Sequence, residues 1–477
     1  MTLLHDKDVP SHVSEPGAEA LIKEARRLRR RRWVIGSIAT ALVAVLAGVL
    51  YVVSGHSVPP PATTLTAANR PLVNAKAFSQ QGELAFVSRN ALWILDGANG
   101  SLREVTSNYA IDPVFSPDGK WLAYVSTTGP PAPYGYELKP PPSQLWIAHA
   151  DGTNARAVRG LTQASALAWS PTSDTLAVVE GPVGASSSAI SLVTPVGAVH
   201  QVPGTSHALN FVWSPNGKEI AFSGEYQYGA LEAVSVSGGS PVVWQAEHNN
   251  PAYPKSFNPT IPAAWLPAGQ GIVYWIDEDN SASLAADGLP LYLVTSPNGP
   301  AHLLGTTLVN TASIATSPTG ALAIAGGGDR YQWSTKAVER CSTKSATCTK
   351  VQMPTNDVSF NPSWSPDGRE LIYSMGPSNQ SAGGQAAVSK WYSELNLWSL
   401  TTGSSTPSEL LGTAGGTVSS WSPSGTSLLF EANDALWLRK TPSGNPVQIA
   451  SPLFPETDWP SYYAEVNWND QFSWFPK

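Results

Sequence analysis

Three observations in this 477-residue sequence predict an all-β fold, a single β-propeller of four-stranded blades, preceded by one transmembrane helix. A turn phrase built on Ser-Pro-Asp-Gly returns every 44 to 57 residues. Each return is followed by a short apolar run, and one charge-free apolar stretch of 21 residues stands near the N-terminus. Composition agrees, because 40 Gly and 41 Pro punctuate the chain and leave little room for long helices.

The N-terminal element comes first. Of the 28 basic and 35 acidic residues, eight basic (Lys7, Lys23, Arg26, Arg27, Arg29, Arg30, Arg31, Arg32) and five acidic ones lie in residues 1–32, which read as a basic cytoplasmic tail. Residues 33–53, WVIGSIATALVAVLAGVLYVV, carry no charge. At ~1.5 Å per residue they cover the roughly 30 Å core of a bilayer. The arginines just before them hold the N-terminus inside and send the bulk across. A cleaved signal peptide is the competing reading. It fits less well, because the tail is long, the apolar stretch exceeds the usual ~7–15 residues, and no A-x-A-like site follows. The sequence therefore predicts a single-pass protein of the cytoplasmic (plasma) membrane with the propeller outside. Residues 54–71 form a Pro-rich linker.

Residues 72–477 hold the repeats. FSPDGKWLAYVS begins at Phe115, WSPTSDTLAVVE at Trp169, WSPNGKEIAFSG at Trp213 and WLPAGQGIVYWI at Trp265. TSPTGALAIAGG at Thr316, WSPDGRELIYSM at Trp364 and WSPSGTSLLFEA at Trp421 continue the series, with a weaker copy, FSQQGELAFVS, at Phe78. Pro presets φ for the first turn position and Gly accepts a positive φ, so each phrase is a corner between two strands. The run after it, such as Leu122-Ala123-Tyr124-Val125, is a strand buried on both faces. A second hairpin follows, as in Gln144–Gly160 with Asp151-Gly152 at its turn. Four short strands per unit is the size of a propeller blade. Counting from Phe78 predicts eight blades, with seven as the alternative if the first copy only closes the ring. Residues 464–475 then supply strands that complete the blade begun at the N-terminal end.

The residues W-S-P-D-G-[KR]-x-[LI]-x-[YF], clearest at Trp364–Tyr373 and Phe115–Tyr124, resemble the TolB-type (WD40-like) repeat of bacterial envelope propellers. That resemblance covers residues 72–477 and implies fold more than function, since similar blades serve scaffolds, lectin-like modules and peptidases.

Catalytic signals are sparse. There is no G-x-S-x-G, the histidines beyond the linker are dispersed, and IDEDNS at residues 276–281 lacks the rest of a calcium loop. The expectation is a protein that is not an enzyme and takes no cofactor and no metal. The expected role is a non-enzymatic binding or scaffolding propeller, monomeric, displayed outside the membrane for a protein or glycan ligand of the cell envelope. The acidic remainder of the chain argues against nucleic acid. The alternative is a hydrolase or lyase acting on glycans or peptides with Asp277, Asp329 and Glu394 at the channel mouth. Cys341 and Cys348 flank one hairpin turn and are expected to form a disulfide.

Binding residues are sought where the insertions fall. Alternating strand direction puts the short corners on one face and the long connections on the other. The long connections carry Tyr134 and Tyr136, Tyr226 and Tyr228, Asp329, Arg330, Tyr331 and Trp333, Trp391 and Tyr392, and Trp459 and Tyr462. Aromatic side chains with a polar rim are typical interface anchors, so these twelve residues are the candidate partner surface.

Overall fold

The computed structural model describes residues 70–127, 143–161, 163–181, 188–224, 229–246, 248–249, 257–277, 288–329, 331–379, 385–440, 444–454 and 471–476. The expected tail, membrane helix and most of the linker lie outside these residues. Among the described residues, no helix is long and apolar enough to cross a membrane.

The strands form eight antiparallel four-stranded groups, consistent with a β-propeller. Blade 2 is typical, with strands Tyr109–Phe115, Trp121–Thr127, Ser143–His149 and Arg156–Ala157 in sequence order. Blades 3 to 8 repeat that order, starting at Ala164, Ala208, Thr260, Ile314, Asp357 and Gly416. Blades 5 and 6 share one sheet through a bridge between Thr307 and Gly326.

Side-chain alternation explains why these strands are apolar throughout. In blade 2, Leu122 and Tyr124 pack against Ile94 of blade 1, whereas Ala123 joins the cluster of Leu176 and Val178 in blade 3. In blade 7, Leu371 and Tyr373 face Val338 of blade 6, and Ile372 faces Leu428 and Phe430 of blade 8. Further clusters join blades 3 and 4, 4 and 5, and 5 and 6. The ring closes where Phe86 and Trp93 of blade 1 meet Leu429 and Leu436 of blade 8. Fully burying each such side chain stabilises the ring by about 1.5–3 kcal/mol, before the entropy of ordering it.

The repeated phrase is corner chemistry. Ser116 Oγ donates to Asp118 (2.7 Å) and accepts from the Trp121 N–H (3.1 Å), and Ser365 does the same with Asp367 and Glu370. Hydrogen bonds from Lys120 and Ser116 outweigh the opposing effect of desolvation and hold the Asp118 carboxyl at about 2. Gly217 has φ +67°, and a Cβ there would lie 2.2 Å from Thr172 Oγ1 in the corner of blade 3. The phrase tryptophans link blades as well. Trp169 Nε1 donates to the Val114 carbonyl of blade 2 and Trp213 Nε1 to the Ala168 carbonyl of blade 3, each at 3.0 Å.

Both chain ends build the seam. The first strand of blade 1 is Phe472–Phe475, paired with Glu83–Ser88. Leu72–Val73 adds a fifth strand to the outer edge of blade 8, opposite Ser451 and Ala450. The weak copy at Phe78 is thereby explained. Trp474 pairs with Leu84 as Trp169 pairs with Leu176, so the C-terminal segment delivers the aromatic residue of this blade. Phe78 turns instead into the core between blades 8 and 1.

Candidate functional site

The antiparallel order places each phrase corner and each third-to-fourth-strand turn at one end of the ring. The second-to-third-strand connections lie at the other. At that second end, blades 1 and 8 make minimal turns, Arg89-Asn90 and Asn433-Asp434, with positive φ at all four residues (48°, 71°, 51° and 61°). Blades 2 to 7 have longer connections there. Of the second-to-third-strand connections, those of blades 6 and 7 are described in large part, as are the two-residue turns of blades 1 and 8 at the seam.

In blade 7 the connection contains helix α1, Gln385–Ser393. Trp391 is 1% exposed and stacks on Phe360 of the first strand at 5.6 Å between ring centroids. Its Nε1 donates to the Pro377 carbonyl (2.7 Å). Trp333, from the blade 6 connection, meets Trp391 edge-on at 6.1 Å and is stacked by Tyr331 at 4.9 Å. Tyr392 is buried against Trp391 at 5.1 Å. Beneath them the Asp329 carboxylate accepts from Ser334 Oγ (2.6 Å) and the Tyr331 N–H (3.2 Å). The buried Lys336 ammonium donates to the carbonyls of Asp329 and Ser334.

These contacts correct the sequence reading. Trp333, Trp391 and Tyr392 are not solvent-facing anchors, because the two connections fold over one another and use those rings as their own core, together with Val358, Val388 and Leu395. Tyr331 is half-buried on that core, and Asp329 holds its own loop. Tyr134, Tyr136, Tyr226, Tyr228, Arg330, Trp459 and Tyr462 lie outside the described residues. Of the acids suggested for the channel mouth, Asp277 is buried, Asp329 is engaged as above, and Glu394 is exposed just after α1. Among the described residues, no group of three His, Cys, Asp or Glu could hold a metal ion. Cys341 and Cys348 are directly paired across the outer hairpin of blade 6 and form the expected disulfide.

The seam holds a polar cluster that the motif search missed. Glu431 is 0% exposed. It accepts from Thr417 Oγ1 (2.6 Å) and from the Asp434 N–H (3.1 Å). The Thr417 carbonyl in turn accepts from Ser374 Oγ and from Asn361 Nδ2 of blade 7. Burial pushes the Glu431 carboxyl up to about 8, with the Asp434 charge adding to the effect and the two hydrogen bonds opposing it. Asp434 is raised by burial too, against the N–H groups of Phe454 and Leu453 and the charge of Arg89. A signal was present in the repeats. At the Glu431 position the other blades carry Val87, Val125, Val179, Ser223, Trp275, Ala325 and Ser374, so this is the one ionisable side chain in an otherwise uncharged column.

No family model matches the sequence, and no curated protein matches it. Solved structures similar to it are propellers or contain them. An oligogalacturonate lyase in complex with manganese is 10% identical, with 80% of this chain and 100% of that one covered and a TM-score of 0.42. A prolyl endopeptidase is 10% identical over 79% of this chain and 51% of its own, at a TM-score of 0.44. TolB from Acinetobacter baumannii is 12% identical, covering 77% and 79%, at 0.34. At such identities the likeness concerns the fold alone. Enzymes and TolB stand side by side among these propellers, so the expectation that this chain is not an enzyme is corrected to this extent: its non-enzyme status is not confirmed.

Proposed function

We propose that this protein is a ligand-binding propeller held at the outer face of the cytoplasmic membrane by residues 33–53, and that it takes a protein or glycan of the cell envelope on its long-connection face. The observation that carries this reading is the one-sided growth of the connections. Six consecutive blades, 2 to 7, extend theirs at one end of the ring, whereas blades 1 and 8 keep two-residue turns there. Insertions confined to one end of a rigid ring are what a variable binding surface on a fixed scaffold requires. The buried aromatic core under the blade 6 and 7 connections supports the reading in a different way from exposed anchors, since it stiffens that face and lowers the cost of ordering it on binding. The membrane anchor rests on the charge-free stretch and the arginines before it.

Two experiments test the proposal. A reporter fused after Lys477 is expected to be active outside the cytoplasm only, and cytoplasmic activity would refute the topology. Affinity capture from envelope fractions with the full-length protein is expected to be lost when residues 128–142 are replaced by a two-residue turn. It should persist in Asp367→Ala at a phrase corner. Capture that followed the corner variant would refute the assignment of the face.

A further inference from the structure

The chain enters the ring on one face and ends on the other. At the entry Pro71 is buried, and Leu72–Val73 follows as the added strand of blade 8, with Leu72 opposite Ser451 and Val73 opposite Ala450. Ala450 in turn pairs with Leu436, just past the Asn433-Asp434 turn, and the Leu453 N–H donates to the Asp434 carboxylate (2.8 Å). Leu72 therefore lies at the long-connection end. From there the chain runs toward the corners, with the Asn74 N–H donating to the Ile449 carbonyl (2.8 Å), so it arrives from the long-connection side. The closing strand finishes at the opposite end. Phe475 is paired with Glu83, next to the corner Gly82, and a Cβ on Gly119 in the blade 2 corner would lie 2.0 Å from the Phe475 ring.

The stretch that arrives on the long-connection side is the expected tether. Sixteen residues, 54–69, separate the charge-free stretch 33–53 from Arg70. A flexible chain of that length spans about 20–24 Å r.m.s., at ~5–6 Å times the square root of its length. A seven-residue strand such as Trp121–Thr127 already rises about 23 Å, at ~3.3 Å per residue. With the corners toward a bilayer, the tether would have to climb that height and the turns at both ends before reaching Leu72. That climb uses its whole r.m.s. span and leaves no clearance, whereas the opposite orientation needs no climb. The side chains at the entry suit a bilayer surface, since Arg70 is exposed and Leu72 is 73% exposed.

We propose, on the footing of the anchored reading above, that the long-connection face of the ring looks toward the bilayer and the corner face looks away from it. The connections of blades 2 to 7 then roof a narrow space over the membrane. A ligand of that face is one presented at the bilayer surface, and the space admits it from the side.

Energy transfer to an acceptor on lipid headgroups tests this, with the full-length protein reconstituted in phosphatidylcholine vesicles. Both native cysteines are taken up by the Cys341–Cys348 disulfide, so a single introduced cysteine can carry the donor dye. Glu394→Cys and Arg369→Cys place the dye at the two ends of blade 7, at exposed positions. Transfer is expected to be several-fold stronger from position 394 than from position 369. A long Gly-Ser insert after Ala67 should erase most of that difference, because the short tether sets the orientation. In protein that floats with the vesicles, equal transfer from both positions, or stronger transfer from 369, would overturn the orientation while leaving the anchor standing. A difference that survived the insert would overturn the role given to the tether. Protein that failed to float with the vesicles would refute the anchor, and the orientation with it.

Discussion

Replacing Trp391 by Ala separates a structural ring from a partner anchor. The indole is 1% exposed, packed between Phe360, Trp333 and Tyr392, and hydrogen-bonded through Nε1 to the Pro377 carbonyl. Truncating a core Trp to Ala costs about 3–5 kcal/mol through lost transfer energy and the cavity left behind. Orphaning the Pro377 carbonyl overlaps with that figure, so we expect about 4 kcal/mol in all. Trp391→Phe keeps most of the packing and loses the donor, and should cost about 1–2 kcal/mol. Urea titration of the full-length protein, followed by near-ultraviolet circular dichroism, should show the Ala variant with a clearly lower midpoint or an early phase as α1 detaches. The Phe variant should fall between it and the parent. An unchanged midpoint for Trp391→Ala, with partner capture lost, would refute this reasoning and restore the ring as an anchor.

Three further outcomes follow from the same contacts. Glu431 binds its proton more tightly folded, at about 8, than at its ordinary value of 4.5. Stability is therefore full below about pH 4.5 and falls by about 1.4 kcal/mol per unit toward pH 8, and denaturant titrations of Glu431→Gln should lack that slope. Gly217→Ala meets both a positive φ and the corner of blade 3, so melting should show a loss of about 2 kcal/mol or more. The Cys341→Ser, Cys348→Ser double variant opens a short cross-link and should cost about 2 kcal/mol in the same assay, with blade 6 still assembled.

What the sequence revealed was what depends on near neighbours. A Ser-Pro-Asp-Gly corner is set by bonds between residues two to five apart, such as Ser116 with Asp118 and Trp121, so the repeats could be read directly. Runs such as Leu122–Val125 could be read as doubly buried strands because both faces demand apolar side chains. The seam was only partly legible. The extra C-terminal strand was visible, but the pairing of Trp474 with Leu84 joins residues from opposite ends, and nothing local distinguishes Phe78 from a phrase aromatic. The loop aromatics misled for a related reason. A cluster such as Tyr331, Trp333, Trp391 and Tyr392 has the composition of an interface, and only the approach of two connections 60 residues apart in sequence turns it into a core. Glu431 could have been found by aligning the blades, where a carboxylate in a column of uncharged residues stands out.

The central structural claim is a ring closed by pairing its two ends, and one cross-link tests it most directly. Ala85 and Ser473 are register partners on adjacent antiparallel strands. Such partners have Cα atoms ~4.5–5.5 Å apart, within reach of a disulfide. In the Ala85→Cys, Ser473→Cys protein, oxidation should link the two positions within one molecule, seen as a single joined peptide after digestion and as a raised melting temperature. Thiols that stayed free under oxidation, or that paired only between molecules, would contradict the closed ring.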